Sequence, residues 1–559
     1  MPGADVEVPV LIVGGGPVGL TARALLERWG VPCLLVDKHR ELSPFPRSRL
    51  VNVGSMEIFR RLGVAAEVAA GAFAPEYGRV RFRDTLHGPD FATAAMVGVH
   101  EPVPESPVTG VVTSQDRLEP VLLAAAGRAV RFGTELVDLE ETAAGVRAVL
   151  VDVGSGARTR VRAGYLLAAD GANSTVRERL GIGATGPGAL GSFTTVVFDA
   201  DLSRWCADQP AGVYFTTYGT FTPLYPEGGW AWFGATPPAA GPADWSGLVS
   251  RALGPGADVR AEVVRVQHWS MTAQVADSFG GGRVFLAGDA AHAVPPIGGL
   301  GMNAGVADAH NLCWKLAGVL QGWAGPGLLA TYETERHPVA RETLRQAVAN
   351  TRLLLQVQRL RAEQLRAGGA GPVELPWSER YFAQLGLVLG VTYRSAAVLP
   401  GHGTSGPCGS RPGPAGPEPG PPGSEPGPPG PEPGSPGTEY VPTARPGHRM
   451  PHHWLAPGRS TLDTFGEWFT LLTPAPDRWL RQAAAPWPLR VEALPGEHCA
   501  GYGLDRRAGA LLVRPDGHVA ARWDAAPPHG STVRDALAAV TALSPPGWTA
   551  DRPAGRCCP

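Results

Sequence analysis

Lysine is almost missing from this chain. Only Lys38 and Lys315 stand among its 49 basic residues, and the formal net charge over 559 residues is −2. No basic block exists, so the electrostatic footprint of a nucleic-acid binder is lacking. Long apolar runs are missing as well. None approaches the ~20 residues needed to cross a bilayer, and Val8–Val13 is too short for a signal-peptide core and reads as a first strand. A cytoplasmic protein with neither a nucleic-acid nor a membrane partner is expected. Seven cysteines occur, at positions 33, 206, 313, 408, 499, 557 and 558. They contain no C-x-x-C pair and no zinc spacing, which argues against dithiol redox chemistry and a structural metal. His448, His452 and His453 sit among Pro446, Gly447 and Pro451, where no helix can align them as ligands. The P-loop pattern is absent, which argues against an ATPase. No nucleophile–base–acid set stands out either.

What the chain does have is glycine at strand ends. The apolar run Val10–Val13 ends in Gly14-Gly15-Gly16-Pro17-Val18-Gly19, and a helical pattern follows from Leu20 to Trp29. A second apolar run, Pro32–Val36, ends in Asp37 and Lys38. This is the order of a dinucleotide-binding βαβ unit. Gly14 permits the tight turn, Gly16 admits a pyrophosphate, Gly19 lets helix and strand pack, and Asp37 accepts from a ribose. A second strand-like run, Tyr165–Ala169, ends in Asp170-Gly171 and is followed by Ser174, Val176 and Arg177. A third, Arg283–Leu286, leads into Ala287–Asn303, AGDAAHAVPPIGGLGMN. There a carboxylate, Asp289, leaves a strand, two prolines stiffen the loop, and a glycine run precedes a helix. The unpaired N–H groups of such a helix start favour negative charge. That suits a flavin, whose pyrimidine edge becomes anionic on reduction.

These three motifs, in this order, resemble the class A flavoprotein monooxygenases with the p-hydroxybenzoate hydroxylase fold. The resemblance spans roughly residues 8 to 350. It extends to Pro46-Arg47-Ser48-Arg49, Met56-Glu57, Ser114-Gln115 with Leu118-Glu119, and the helix Asp308–Leu316. The chain looks most like the branch that hydroxylates aromatic polyketides and carries a C-terminal thioredoxin-like domain. The resemblance implies FAD as cofactor, NADPH or NADH as co-substrate, and molecular oxygen activated as a flavin C4a-hydroperoxide. It implies the following contacts: Asp37 on the adenosine ribose, Arg47 near the pyrophosphate or flavin, Gln115 near the ribityl chain, and Asp170 by the pyrophosphate and nicotinamide path. Asp289 would hold a ribityl hydroxyl. Pro296 would lie against the reactive C4a face, with Gly299 nearby, and Gly301, Met302 and Asn303 would meet the pyrimidine edge. Arg47 and Pro296 are the candidates closest to catalysis. A halogenase shares the flavin half, but Gly229-Trp230-Ala231-Trp232 lacks that group's Ile-Pro continuation, and neither lysine is placed for its relay. Baeyer–Villiger oxidation, epoxidation and a non-catalytic flavin-binding role stay open at this stage.

The implied fold is α/β. A Rossmann-type FAD-binding domain (1–76, 104–182 and 271–345) carries a mixed-sheet substrate domain (77–103 and 183–270). A helical connector (346–400), a Gly/Pro-rich linker (401–445) and a thioredoxin-like α/β domain (446–559) follow. In the linker the glycines alternate three and four apart, which breaks the strict triplet of collagen. Strands are expected at Arg79–Arg83, Thr194–Ala200, Ala211–Thr217, Gly229–Gly234 and Val259–Trp269. Alternation puts Trp230 and Trp232 on one face. With Tyr214 and Tyr225 they are the candidate walls for a flat aromatic substrate. A monomer or a homodimer is expected.

Overall fold

The computed structural model describes residues 6–127, 130–237, 244–257, 259–369, 371–374, 384–400, 440–480, 486–504, 508–525 and 532–543. The Gly/Pro-rich stretch 401–439 and the pair Cys557-Cys558 lie outside them.

The first sheet is built around Val6–Val13, whose inner residues Val10, Leu11 and Ile12 are fully buried. An unbroken apolar run of this kind marks a strand covered on both faces. It pairs in parallel with Cys33–Val36 on one side and with Arg158–Ala168 on the other. Val284–Leu286 adds a fourth parallel strand beside Arg158–Ala168. A hairpin, Thr134–Thr142 with Gly145–Asp152, extends the sheet. Register levels the strand ends. Val13 pairs with Val36 and with Ala168, and Ala168 pairs with Leu286. Four carboxyl-terminal strand ends therefore open onto one edge, where ligands of parallel sheets bind.

Helices Pro17–Arg28 and Gly301–Leu320 pack together over this sheet. The 37-residue helix Ala330–Arg366 runs on from there toward the second sheet.

That second sheet has eight strands. In spatial order they are His292–Ala293, Glu262–Ala276, Ala184–Asp199, Gly228–Ala235, Gly219–Tyr225, Val213–Thr216, Arg79–Arg83 and Asp90–Ala95. Two strands run longer than expected. Ala184–Asp199 begins ten residues before Thr194, inside a glycine-rich segment, and it pairs with Glu262–Ala276 through register shifts. Its glycines permit the bulges that keep the ladder joined.

The C-terminal part holds a four-stranded sheet ordered Leu489–Ala493, Phe469–Thr473, Ala510–Val513 and Val519–Trp523. The first pair is parallel and the last two pairs are antiparallel, and helix Thr532–Val540 follows. This is thioredoxin-like topology. The turn Arg514–His518 closes its last hairpin, as the Pro-Asp-Gly sequence predicts.

Candidate active site: a cleft at the ends of four parallel strands

The three motif loops meet at the levelled strand ends. Gly14 adopts φ +108, and a Cβ there would lie 2.2 Å from the Ala169 carbonyl oxygen, so the first and second motifs touch. Gly19 lies against the Gly14 carbonyl, and Pro17 opens the helix with no side-chain cap at Gly16. The helix start therefore keeps free N–H groups. A Cβ on Gly16 would meet nothing, so that backbone faces the open cleft. Val18 joins the first motif to the third: Cβ atoms on Gly305 and Gly288 would lie 2.5 Å and 2.9 Å from its Cγ2.

Asp37 accepts from Gly15 N–H at 2.6 Å and from His39 N–H at 2.7 Å, while Lys38 is exposed. Asp170 accepts from the Ser174 hydroxyl at 2.6 Å and from Val176 N–H at 3.1 Å. Burial pushes its carboxyl above the usual carboxylate range despite these donors. Arg177 donates to the Ala290 carbonyl at 2.9 Å, which ties the Asp170-Gly171 turn to the Gly288–Ala290 turn. The Asp289 side chain opens to the cleft, with Oδ1 3.9 Å from where a Gly301 Cβ would stand. Protein on its other sides desolvates it and raises its carboxyl, against the pull of His292 and Arg47. Arg47 and Pro296 are exposed at the cleft mouth, and Gly299 N–H donates to the Pro296 carbonyl at 3.0 Å.

Gln115 accepts from Ser48 N–H at 3.3 Å and donates to Glu119 at 2.7 Å. Burial pushes the Glu119 carboxyl up to about 7. Asn303 has a role that the sequence did not disclose. Its side chain accepts from Asn52 N–H at 3.0 Å and donates to the carbonyls of Leu50 at 2.8 Å and Gly299 at 2.7 Å. It fastens the helix start to the neighbouring loop, so only its backbone N–H, with those of Gly301 and Met302, remains for a ligand.

Three of the four expected substrate residues are not at the cleft. Tyr214, Trp230 and Trp232 lie with Val196, Phe198 and Phe221 in a core sealed by helix Trp245–Ala252. Phe215, on the opposite face from Tyr214, packs with Phe82, Val112 and Ile297, the residue after Pro296. Register carries this face, the one toward the Pro296–Ile297 loop, across the sheet from Phe215 to Thr220, Phe233 and Thr195. Phe193 and Trp269 share it, stacked with centroids 5.1 Å apart, and Trp269 donates to the Thr195 hydroxyl at 3.0 Å. The correction has a simple cause. Alternation shows that two tryptophans share a face, but not which face looks at the cofactor. The fourth residue, Tyr225, donates to Asp116 at 2.6 Å and so ties the second sheet to helix Gln115–Ala125.

The donor set suits a long dinucleotide that ends in a flat ring. It offers an uncapped helix start beside a glycine turn, a carboxylate at a second strand end, and a second helix start beside Asp289. Residues 7–347 match the FAD binding domain family, and residues 443–543 match the aromatic-ring hydroxylase C-terminal family. The chain belongs to the FAD-dependent aromatic-ring hydroxylases. This flavoprotein is 35 % identical to tetracenomycin B2 monooxygenase-dioxygenase of Streptomyces olivaceus over 96 % of its own length and 98 % of the relative's. It is 36 % identical to aklavinone 12-hydroxylase RdmE of Streptomyces purpurascens, covering 93 % and 96 %. Among solved structures, the flavin-dependent monooxygenase PieE with FAD and substrate superimposes with a TM-score of 0.82, at 33 % identity over 97 % of this chain and all of that one. The complex of aklavinone-11 hydroxylase with FAD and aklavinone gives 0.78, at 34 % identity over 96 % and 100 %. The flavoprotein is thus an FAD-dependent monooxygenase. Among its described residues no helix is long and apolar enough to cross a membrane.

Proposed function

We propose that this monooxygenase hydroxylates a phenolic polycycle of the polyketide type, with NADPH or NADH as electron donor. The nicotinamide supplies two electrons. One oxygen atom of O2 replaces a ring hydrogen as hydroxyl, and the other leaves as water. The observation that carries the reading is the aromatic front face of the second sheet. Phe193, Phe215, Phe233 and Trp269 stand on the side of the Pro296–Ile297 loop, and flat apolar walls of this kind favour a flat aromatic guest. The near full-length likeness to polyketide hydroxylases supports the same substrate class.

When bound, FAD supplies oxygen activation and transfer. The chain's residues bind, orient and exclude water. Gly16, Val18 and Gly19 present backbone N–H groups to the pyrophosphate, while Gly14, whose N–H is taken by the Val36 carbonyl, and Pro17, which has none, shape the turn, and Asp37, with Lys38 beside it, takes the adenosine ribose. Arg47, exposed at the mouth, supplies positive charge near Asp289. Gln115, held by Ser48 and Glu119, faces the ribityl chain, and Asp289 accepts from one of its hydroxyls. Asp170 borders the pyrophosphate. Pro296 and Gly299 shape the wall over the reactive ring edge. The helix start at Gly301, Met302 and Asn303 stabilises negative charge on the pyrimidine edge.

The test is to add aklavinone, as a probe polycycle, to the FAD-loaded protein. Stimulated NAD(P)H oxidation with a hydroxylated product, its position read by NMR, supports the reading. FAD that stays bound while no polycycle stimulates reduction counts against it. A ring-expanded ester or an epoxide would reassign the oxygen insertion.

A further inference from the structure

Asp308 lies on the helix that starts at Gly301 and is fully buried. Its carboxylate gathers three donors. Gly288 N–H donates to Oδ2 at 3.0 Å, His292 Nε2 lies 2.6 Å from the same oxygen, and Arg336 Nε donates to Oδ1 at 2.7 Å. Gly288 and His292 bracket Asp289, so one carboxylate pins both ends of the turn that carries it. His292 Nδ1 is buried without a hydrogen-bond partner. Arg336 places a guanidinium charge against the other oxygen of Asp308.

Arg336 does more than balance charge. Its Nη2 donates to the Ala304 carbonyl at 3.1 Å, in the first turn of the helix facing the cleft. Its Nη1 donates to the Tyr393 hydroxyl at 3.3 Å. The Tyr393 ring lies 4.1 Å from the His518 ring and faces the Arg514 guanidinium at 5.2 Å. His518 and Arg514 belong to the hairpin turn of the C-terminal sheet. Arg514 also makes a buried pair with Glu335, the residue before Arg336, at 2.6 Å. A continuous buried chain thus runs from the C-terminal domain to both elements that flank Asp289.

We propose that Asp308 and Arg336 are positioning residues for the flavin, and that Tyr393 makes the C-terminal domain part of that positioning. They hold the Gly288–His292 turn and the helix start in the geometry that FAD requires, without touching it. This rests on assigning the Gly288–His292 turn to the flavin. Asp289→Ala tests that assignment separately, and wild-type FAD affinity in it would overturn both.

The experiment titrates FAD into apo-protein by flavin fluorescence, then records the visible spectrum and midpoint potential of the loaded protein beside its melting temperature. Asp308→Asn is expected to weaken FAD binding roughly 10- to 150-fold, the range for a hydrogen bond to a buried charge. It should also shift the potential. Arg336→Lys keeps the charge and loses the two-point clamp, so it should weaken FAD as well. Tyr393→Phe keeps the ring on His518 and removes only the hydroxyl. It should fold normally and bind FAD about three- to tenfold more weakly. If Asp308→Asn does not fold, Tyr393→Phe and Arg336→Lys decide the matter. Folded variants with a lowered melting temperature but unchanged FAD affinity, spectrum and potential would reduce these residues to structural ones and overturn the proposal.

Discussion

Truncating Trp232 separates core from cavity wall. The side chain is 5 % exposed, packs in the cluster that holds Val196, Phe221 and Val249, and donates through Nε1 to the Tyr218 carbonyl at 2.9 Å. Removing a buried indole to alanine costs about 3–5 kcal/mol through lost transfer energy and the cavity left behind. The freed Tyr218 carbonyl adds little, because its residue is exposed and water replaces the indole. For a domain of this size the loss lowers the melting temperature by roughly 6–20 °C. The assay is thermal unfolding at saturating FAD, paired with aklavinone binding read from quenching of flavin fluorescence. Trp232→Ala should melt early yet bind the polycycle within about twofold of wild type, since side chains beyond the contact layer add little to affinity. Phe233→Ala, on the face toward the Pro296–Ile297 loop, should show the reverse: a small change in melting and about tenfold weaker binding, as expected for a contact aromatic. If Trp232→Ala melts normally and loses the polycycle, the assignment of sheet faces is wrong.

Other consequences are checked with the same protein. Gly16→Val should leave apo-protein melting unchanged and abolish FAD binding, because a side chain there meets only the open cleft. Asp37→Ala removes a carboxylate whose charge-assisted bonds are worth about 1.5–3 kcal/mol, so FAD dissociation should rise roughly 10- to 150-fold. Arg514→Met removes the guanidinium shared by Glu335 and Asp516; Lys315 still pairs with Glu335 at 2.8 Å, and the buried Asp516 loses its guanidinium. Denaturant unfolding should register a loss of about 3–5 kcal/mol, the cost of leaving a buried charge uncompensated. Burial and the neighbouring Arg61 push His310 down to about 3, and Arg61 donates toward its Nε2 at 3.2 Å. The unfolded chain takes up a proton near pH 6.5 that the folded one refuses, so stability should fall as pH drops from about 6.5 toward 3. His310→Gln should flatten that slope in a melting-temperature series. An unchanged slope would mean that other groups set the acid limit.

The cleft was legible in the sequence because its logic is local. Glycines at strand ends, an acid after the second strand and the Asp170-Gly171 and Gly288-Asp289 turns each need only a few neighbouring residues to be read. The hairpin Arg514–His518 is legible for the same reason. The faces of the second sheet were not, because the assignment of Trp232 depends on its register to Phe221 and, through Tyr214, on the side taken by Phe215. The start of the long strand at Ala184 was hidden by glycines that usually mark loops. The links from Asp308 to Arg336 and from Arg514 to Glu335 join residues far apart in the chain. No periodicity announces such pairs, and only the packed helices bring them together.

The strand Val284–Leu286 also has a consequence for how the protein is made. Its partner, Arg158–Ala168, leaves the ribosome on the order of 100 residues earlier, a delay of roughly 5–20 s at 5–20 residues per second. During that interval the apolar edge Tyr165–Ala168 waits without its neighbour, while most of the second sheet emerges between the two. Closing so long a loop delays the pairing further. Gly288 meets Val18 only after that edge is covered, so the cleft cannot be completed before this strand and the helix Gly301–Leu320 have emerged. Capture of FAD by a nascent chain would therefore report that the parallel sheet has closed, and an interruption of synthesis before this strand would leave an aggregation-prone edge instead of a flavoprotein.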